Sequence, residues 1–440
     1  MDWVVLFLLF LSFILVYKSN RTSFYIYSIF FPFVGFFLLN KIGYDLAYTV
    51  INAELIAFLI LACSHRFSKD ITKFIFIYLI VYLVYFFLIS IFQHVSFLVR
   101  WNDYKSSLIY FVWGCMLFDD IKKNNVSSSR LIRFFFSLVV FELVISLLQY
   151  NFEPVRAFFR DVNYIGMDGK IKEIRDDSKG GLMYGTLSNV TNLANFLSLC
   201  FVICTTYFSI KNLFNQKKII FIASILIVIM LAGIRASLLI SLIMLVPILL
   251  KYKQQKLLYV VAFFFILVTI AGGFSVGLGG EAGFEEGGFA RSLSVFNYLS
   301  DDNIREQTTL GMTFGILQYF LQSPLFGVGL HYNGGYMLRD THFYLEDFSY
   351  TDAMLVFQLV EVGIVGVIIY LWPLWKFMKI TKGHLINKSL LMYLFILLIL
   401  STIVDSGFMA NNNLLLFFFS VVFFVDSAKQ SYDMDLKIEQ

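Results

Sequence analysis

Apolar runs long enough to cross the roughly 30 Å hydrocarbon core of a bilayer recur about thirteen times along this chain, most of them joined by short charged connections. They lie near 3–17, 23–39, 46–63, 74–92, 104–118, 131–150, 186–210, 219–233, 236–250, 257–277, 352–375, 389–404 and 412–425. In lipid every backbone polar group must be satisfied within the protein, and runs of this length and continuity do that as helices. The pattern therefore predicts an all-α polytopic membrane protein of about 13 transmembrane helices, with a range of 12–14. Composition agrees, because 59% hydrophobic against 15% charged residues over 440 positions is too apolar for one soluble core. Met1-Asp2-Trp3 offers neither a basic leader nor a small-residue cleavage site, so the first run is expected to be a retained span.

Charge placement sets an expected orientation. With the first helix starting outside, Lys18 and Arg21, then Arg66, Lys69 and Lys73, then Lys122, Lys123, Arg130 and Arg133 all fall on inward connections. The later connections around Lys211, Lys251 and Lys376 follow suit, and the short outward exceptions are Arg235 and the Arg100/Lys105 segment. Two outward loops are long. Asn151 to Gly185 carries six basic and six acidic residues, and Leu278 to Tyr350 carries three basic (Arg291, Arg305 and Arg339) and nine acidic ones, with His331 and His342. The chain thus divides into residues 1–277, ten helices with the loop 151–185; residues 278–351, a large outward loop with short amphipathic helices and the expected catalytic region; and residues 352–440, three more helices and an inward tail.

Several function classes drop out. Short inward turns leave no room for a nucleotide-binding domain, and no G-x-x-x-x-G-K-[ST] occurs. A net charge of +4 from 34 basic and 30 acidic residues is too balanced to point to nucleic acid. The four cysteines all sit inside apolar runs and imply no disulfide framework.

The remaining polar residues are the candidates for chemistry. Arg235, in Ala232-Gly233-Ile234-Arg235-Ala236-Ser237, reads as a tight outward turn, where an arginine either snorkels to a headgroup or holds a phosphate. Arg175 and Arg305 each precede a glycine by ten positions, Gly185 and Gly315. Leu310, Phe314, Leu317 and Leu321 have the spacing of an amphipathic helix over 304–323 that Pro324 ends. His331 and His342 are eleven apart beside Asp340, Glu346 and Asp347, which is no zinc spacing, so no metal is expected and a general base is the alternative to solvated loop residues. Asp352 and Glu361 are nine apart, on opposite faces of one helix, and Glu361 falls near the middle of a span, where an ionisable group is functional or tightly paired. Glu142 and Glu54 raise the same question. Glu281 to Gly288 has the glycines of a phosphate loop, yet its three carboxylates would repel a phosphate, so a flap or linker is expected.

Taken in order, four segments resemble the O-antigen polymerase and ligase superfamily. They are Gly185-Thr186-Leu187-Ser188-Asn189-Val190-Thr191-Asn192-Leu193-Ala194, Gly233-Ile234-Arg235-Ala236-Ser237, Arg305 ahead of Pro324-Leu325-Phe326-Gly327-Val328-Gly329, and Glu361-Val362-Gly363-Ile364-Val365-Gly366, across roughly residues 175 to 375. The resemblance implies a GT-C-like, metal-independent, inverting membrane glycosyltransferase without cofactors. It would act on undecaprenyl-diphosphate-linked oligosaccharide, as donor and acceptor, at the periplasmic face of a bacterial inner membrane. By the same resemblance Arg235 and Arg305 engage the donor diphosphate, with Arg175, Arg291, Arg339 and Asn192 as further substrate-binding candidates. His342, His331, Asp352 and Glu361 are the catalytic candidates. Ligases carry a histidine where this chain has Thr351-Asp352-Ala353-Met354-Leu355, which favours the polymerase. Membrane lipids, a chain-length regulator and a flippase are the expected partners, and nucleic acid is not. The alternatives are a ligase delivering glycan to lipid A core, and a lipid-linked oligosaccharide flippase, which should show less extramembrane surface than this chain has.

Overall fold

The computed structural model describes residues 2–30, 56–93, 97–163, 183, 185–187, 190–232, 235–252, 320–329, 354–382 and 411–427. Every regular element among them is a helix. In chain order these are α1 (Asp2–Ser19), α2 (Arg21–Phe30), α3 (Lys69–Phe92), α4 (Phe97–Lys122), α5 (Ser128–Asn151), α6 (Glu153–Asn163), α7 (Val190–Ile210), α8 (Gln216–Leu231), α9 (Arg235–Tyr252), α10 (Met354–Lys382) and α11 (Asn411–Phe419). Four stretches, Lys69–Phe92, Ser128–Asn151, Asn192–Ile210 and Gln358–Thr381, are long and apolar enough to cross a membrane, and the protein is a helical membrane protein. The spans expected near 257–277 and 389–404, and most of 23–39 and 46–63, lie outside the described residues.

Two helix clusters meet through α11. The first sets α4 against α3 and α10, and the second sets α7 against α8 and α9, while α11 touches both α4 and α7. Leu414 to Phe419 are all buried, as a helix apolar on every side must be. Close approach is built in at Gly114 of α4, where a Cβ would lie 2.8 Å from the Phe418 ring. Of the Asn192–Ile210 stretch, 94% is buried inside the protein, against 39% of Lys69–Phe92, so α7 is central and α3 turns one side to lipid.

Residues that the charge pattern assigns to the inward side come together at one end of the bundle. Asp120, fully buried at the end of α4, accepts from Arg21, from the Tyr25 hydroxyl at 2.8 Å and from Asn125 Nδ2 at 3.2 Å. Its neighbour Asp119 pairs with His65 Nε2 at 2.7 Å and Lys123 Nζ at 2.6 Å, and Tyr17 hydrogen-bonds the other nitrogen of His65 at 2.9 Å. On the second cluster Lys211 pairs with Asp426, which also accepts from Tyr207 at 3.0 Å. A carboxylate leaves water only where several donors replace it, and Asp120 has three, two from α2 and one from the turn after α4. Asp120→Ala should therefore lower stability by about 2–4 kcal/mol in thermal unfolding of the detergent-solubilised protein. Arg21→Ala should cost less, because the Arg21 side chain keeps 36% of its surface in contact with solvent.

Candidate functional site

α10 is interrupted inside the membrane. Gly363 has φ 68° and ψ −178°, values no helix contains. In a continuous helix the Ile364 N–H would bond the Val360 carbonyl and the Val365 N–H that of Glu361. Both pairs are instead taken up by the 324–329 turn. Ile364 N–H donates to the Pro324 carbonyl at 3.0 Å and Val365 N–H to Leu325 at 3.2 Å, while the carbonyls of Val360 and Glu361 accept from Val328 N–H at 2.7 Å and Gly329 N–H at 3.2 Å. The two glycine motifs of the sequence thus close on each other through backbone alone.

The glycines are where this closure demands them. Gly327 has φ 74° and a Cβ there would strike the Glu361 carbonyl, while a Cβ on Gly363 would strike that of Leu325. Gly329, at φ 88°, lies against the Gln93 side chain, with a Cβ 3.0 Å from that of Gln93. Positive φ alone disfavours any L side chain by about 1–2 kcal/mol, before the clash is counted.

α3 serves α10 along its length. Gln93 Nε2 bridges the carbonyls of Phe326 at 2.8 Å and Glu361 at 2.9 Å. The Tyr85 hydroxyl donates to the Val362 carbonyl at 2.5 Å. Tyr78, two turns earlier on the same face, donates to Ile369 at 2.9 Å. Ile369 is four residues before Pro373, which has no N–H to offer it, so Tyr78 stands in for the missing helix donor.

A second polar assembly surrounds the start of α7. Gln149 on α5 pairs with the Gly185 peptide at both ends, accepting from its N–H at 2.9 Å and donating to its carbonyl at 2.8 Å. Two turns along, Glu142 accepts from the Thr186 N–H at 2.9 Å and from its hydroxyl. Glu142 is fully buried, and Gly185, at φ 61°, presses its Cα against that carboxylate. The sequence left Glu142 open between function and structure. It holds the Gly185-Thr186 turn in place.

α7 and α9 run in parallel. The Ser237 hydroxyl donates to Asn195 Oδ1 at 2.7 Å, and the Ser241 hydroxyl donates to that of Ser198 at 3.0 Å, so the contacts advance in the same direction along both helices. Ser198 also donates to the Ser237 carbonyl at 3.1 Å. The N-termini of α7 and α9 therefore lie at one end, with Asn192 one turn before Asn195 and Arg235 two residues before Ser237. Arg235 opens α9 as its first helical residue rather than sitting in a turn. Two aligned helix N-termini favour an anion at that end.

Of the residues expected from sequence, Arg235 and Asn192 are brought to this shared end, and Glu361 is buried at the α10 break, 1% exposed. His331, His342, Asp352, Arg175, Arg291, Arg305 and Arg339 lie outside the described residues, as do Glu54 and the 281–288 run. Among the described residues no group of three or more His, Cys, Asp or Glu side chains is placed to hold a metal. The residues that sequence reasoning passed over are Gln93, Tyr78, Tyr85, Asn195 and Ser237. The one advance signal was Pro373, which announces an orphan carbonyl at Ile369. No family model and no curated protein matches the chain.

Gly327→Ala and Gly363→Ala should each destabilise the protein by more than about 2 kcal/mol, seen as loss of the monodisperse species in detergent. Tyr78→Phe and Tyr85→Phe, which only unpair one carbonyl each, should cost about 1 kcal/mol in thermal unfolding.

Proposed function

We propose that this protein is a glycan polymerase of the membrane-embedded, GT-C-like type, with about 13 spans, in a bacterial inner membrane. It moves a growing glycan from one undecaprenyl diphosphate to the end of a lipid-linked repeat unit, with inversion at the anomeric carbon. The observation that carries this reading is the parallel α7–α9 pair, whose hydrogen bonds from Ser237 to Asn195 Oδ1 and from Ser241 to Ser198 hold Asn192 and Arg235 at one helix N-terminal end. By the charge pattern of the connections that end faces the periplasm. A donor diphosphate is the anion such an end suits, and the negative charge it gains as the glycosidic bond breaks is what Arg235 would stabilise, together with Arg305.

The other roles follow the resemblance described above. Arg175, Arg291 and Arg339 are further contacts for the two anionic carriers, and His342, His331 or Asp352 takes the proton of the attacking hydroxyl. Holding two lipid carriers side by side supplies much of the acceleration on its own. Glu361 has a supporting part, since its peptide belongs to the α10 break that fixes where the outer segment of this helix stands. The absence of a histidine at Thr351 favours a polymerase over a ligase. A flippase is a poorer match to the long loops rich in charge.

Arg235→Ala should abolish chain lengthening while the protein still accumulates in the membrane. Arg235→Lys should keep a small fraction of activity, because a point charge replaces the bidentate fork. A normal ladder of polysaccharide lengths in Arg235→Ala would reject the assignment. In a deletion strain the expected surface lipid carries a single repeat, whereas polymer stranded on its carrier would identify a ligase.

A further inference from the structure

The apolar stretch of α10 opens at Gln358, four residues and about 6 Å along the axis from the first residue of the helix. Gln358 is 1% exposed, and among the described residues neither its Nε2 nor its Oε1 has a hydrogen-bond partner. Glu361, equally buried, follows by three positions and so neighbours it on the same helix face. Two residues later comes the α10 break at Gly363, and the carbonyls beside it are already occupied: Glu361 accepts from Gly329 and from Gln93, and Val362 from Tyr85. The break is therefore a floor rather than a ligand site, and the unsatisfied polar capacity sits just above it, on Gln358. A buried amide with both ends unpaired is costly to keep, and an apolar side chain of the same size would avoid the cost.

We propose that Gln358 is a sugar-binding residue, part of a subsite at the outer end of α10 that takes one hydroxyl-bearing ring of the glycan substrate. The inference rests on the polymerase reading for the identity of that glycan. Its chemistry comes from the side chain itself: an amide offers one donor and one acceptor position to a group that can answer both, and a hydroxyl does so. An isoprenoid chain would leave the amide unpaired. Burial strengthens each hydrogen bond made there by excluding competing water. Gln358 is thus a specificity-determining residue, distinct from the groups that bind the diphosphate.

The test is Gln358→Leu, with Gln358→Glu beside it, read in three ways. Thermal unfolding in detergent without substrate should show Gln358→Leu at least as stable as the wild type, since an unpaired buried amide is removed. Chain lengthening by Gln358→Leu should fall about tenfold, carried by a raised KM for the lipid-linked acceptor, and Gln358→Glu, which keeps only acceptor capacity, should fall between the two. Free glucose, galactose or N-acetylglucosamine should raise the unfolding temperature of the wild type and not of Gln358→Leu. Normal lengthening by Gln358→Leu would mean that the amide holds a bound water only, and would overturn the proposal. Loss of stability in parallel with activity would assign Gln358 a structural role and overturn it equally. A sugar-dependent shift in a wild type that makes no polymer would uphold the subsite and sink the polymerase reading, so the two ideas fail separately.

Discussion

A membrane offers no water to a broken helix, and the arrangement of this protein follows from how the break in α10 is satisfied. Interrupting a helix at Gly363 forfeits the two backbone hydrogen bonds that would span it, and the 324–329 turn supplies four in their place. That exchange is possible only where two backbones touch, which fixes glycine at 327 and 363. Non-helical backbone at this depth persists where protein covers it. Here the cover is a segment that is some thirty residues earlier in the chain, anchored in turn by Gln93. The consequence is that the 324–329 turn and the break of α10 are held together as one unit.

The same economy recurs elsewhere in the bundle. α3 gives hydroxyls to the carbonyls of Val362 and Ile369, seven residues apart, from Tyr85 and Tyr78, also seven apart. α5 lends Gln149 and Glu142 to the turn that precedes α7. α7 and α9 exchange serine and asparagine contacts that bring their N-termini level. Among the described residues the glycine turns at 185 and 324–329 and the α10 break are each supported by side chains from a neighbouring helix. The opposite end is held differently, by carboxylates at 119, 120 and 426 set among basic and phenolic groups.

Much of the scaffold was legible in the sequence, because burial in lipid writes helices as apolar runs. The run at 131–150 became Ser128–Asn151 and that at 236–250 became Arg235–Tyr252, each longer because polar ends continue the helix past the hydrocarbon. The run at 104–118 began earlier, at Phe97, for the same reason: Arg100, Asp103 and Lys105 remain helical. The motifs Pro324 to Gly329 and Glu361 to Gly366 stood out, but their pairing did not. Backbone-to-backbone hydrogen bonds leave no trace in side-chain type beyond the glycines they require. Asp119 and Asp120 were passed over because, beside Lys122 and Lys123, they look like any inward turn. Gln358 and Gln93 sit singly at the ends of apolar runs, where an amide forms no recognisable pattern. The pairing of Ser237 with Asn195, forty-two residues away, likewise left no mark in the sequence.

The claim on which the account most depends is the pairing of the 324–329 turn with the α10 break, and paired cysteines test it. The Val365 N–H lies 3.2 Å from the Leu325 carbonyl, a separation that brings the two Cα atoms into the range a disulfide can bridge. In a background with Cys63, Cys115, Cys200 and Cys204 replaced, Leu325→Cys with Val365→Cys should cross-link readily under mild oxidation in native membranes, and Leu325→Cys with Ile368→Cys should do so far more slowly. Equal cross-linking of the two pairs, or none in either while both proteins insert and fold, would contradict the pairing and with it the position assigned to the outer part of α10.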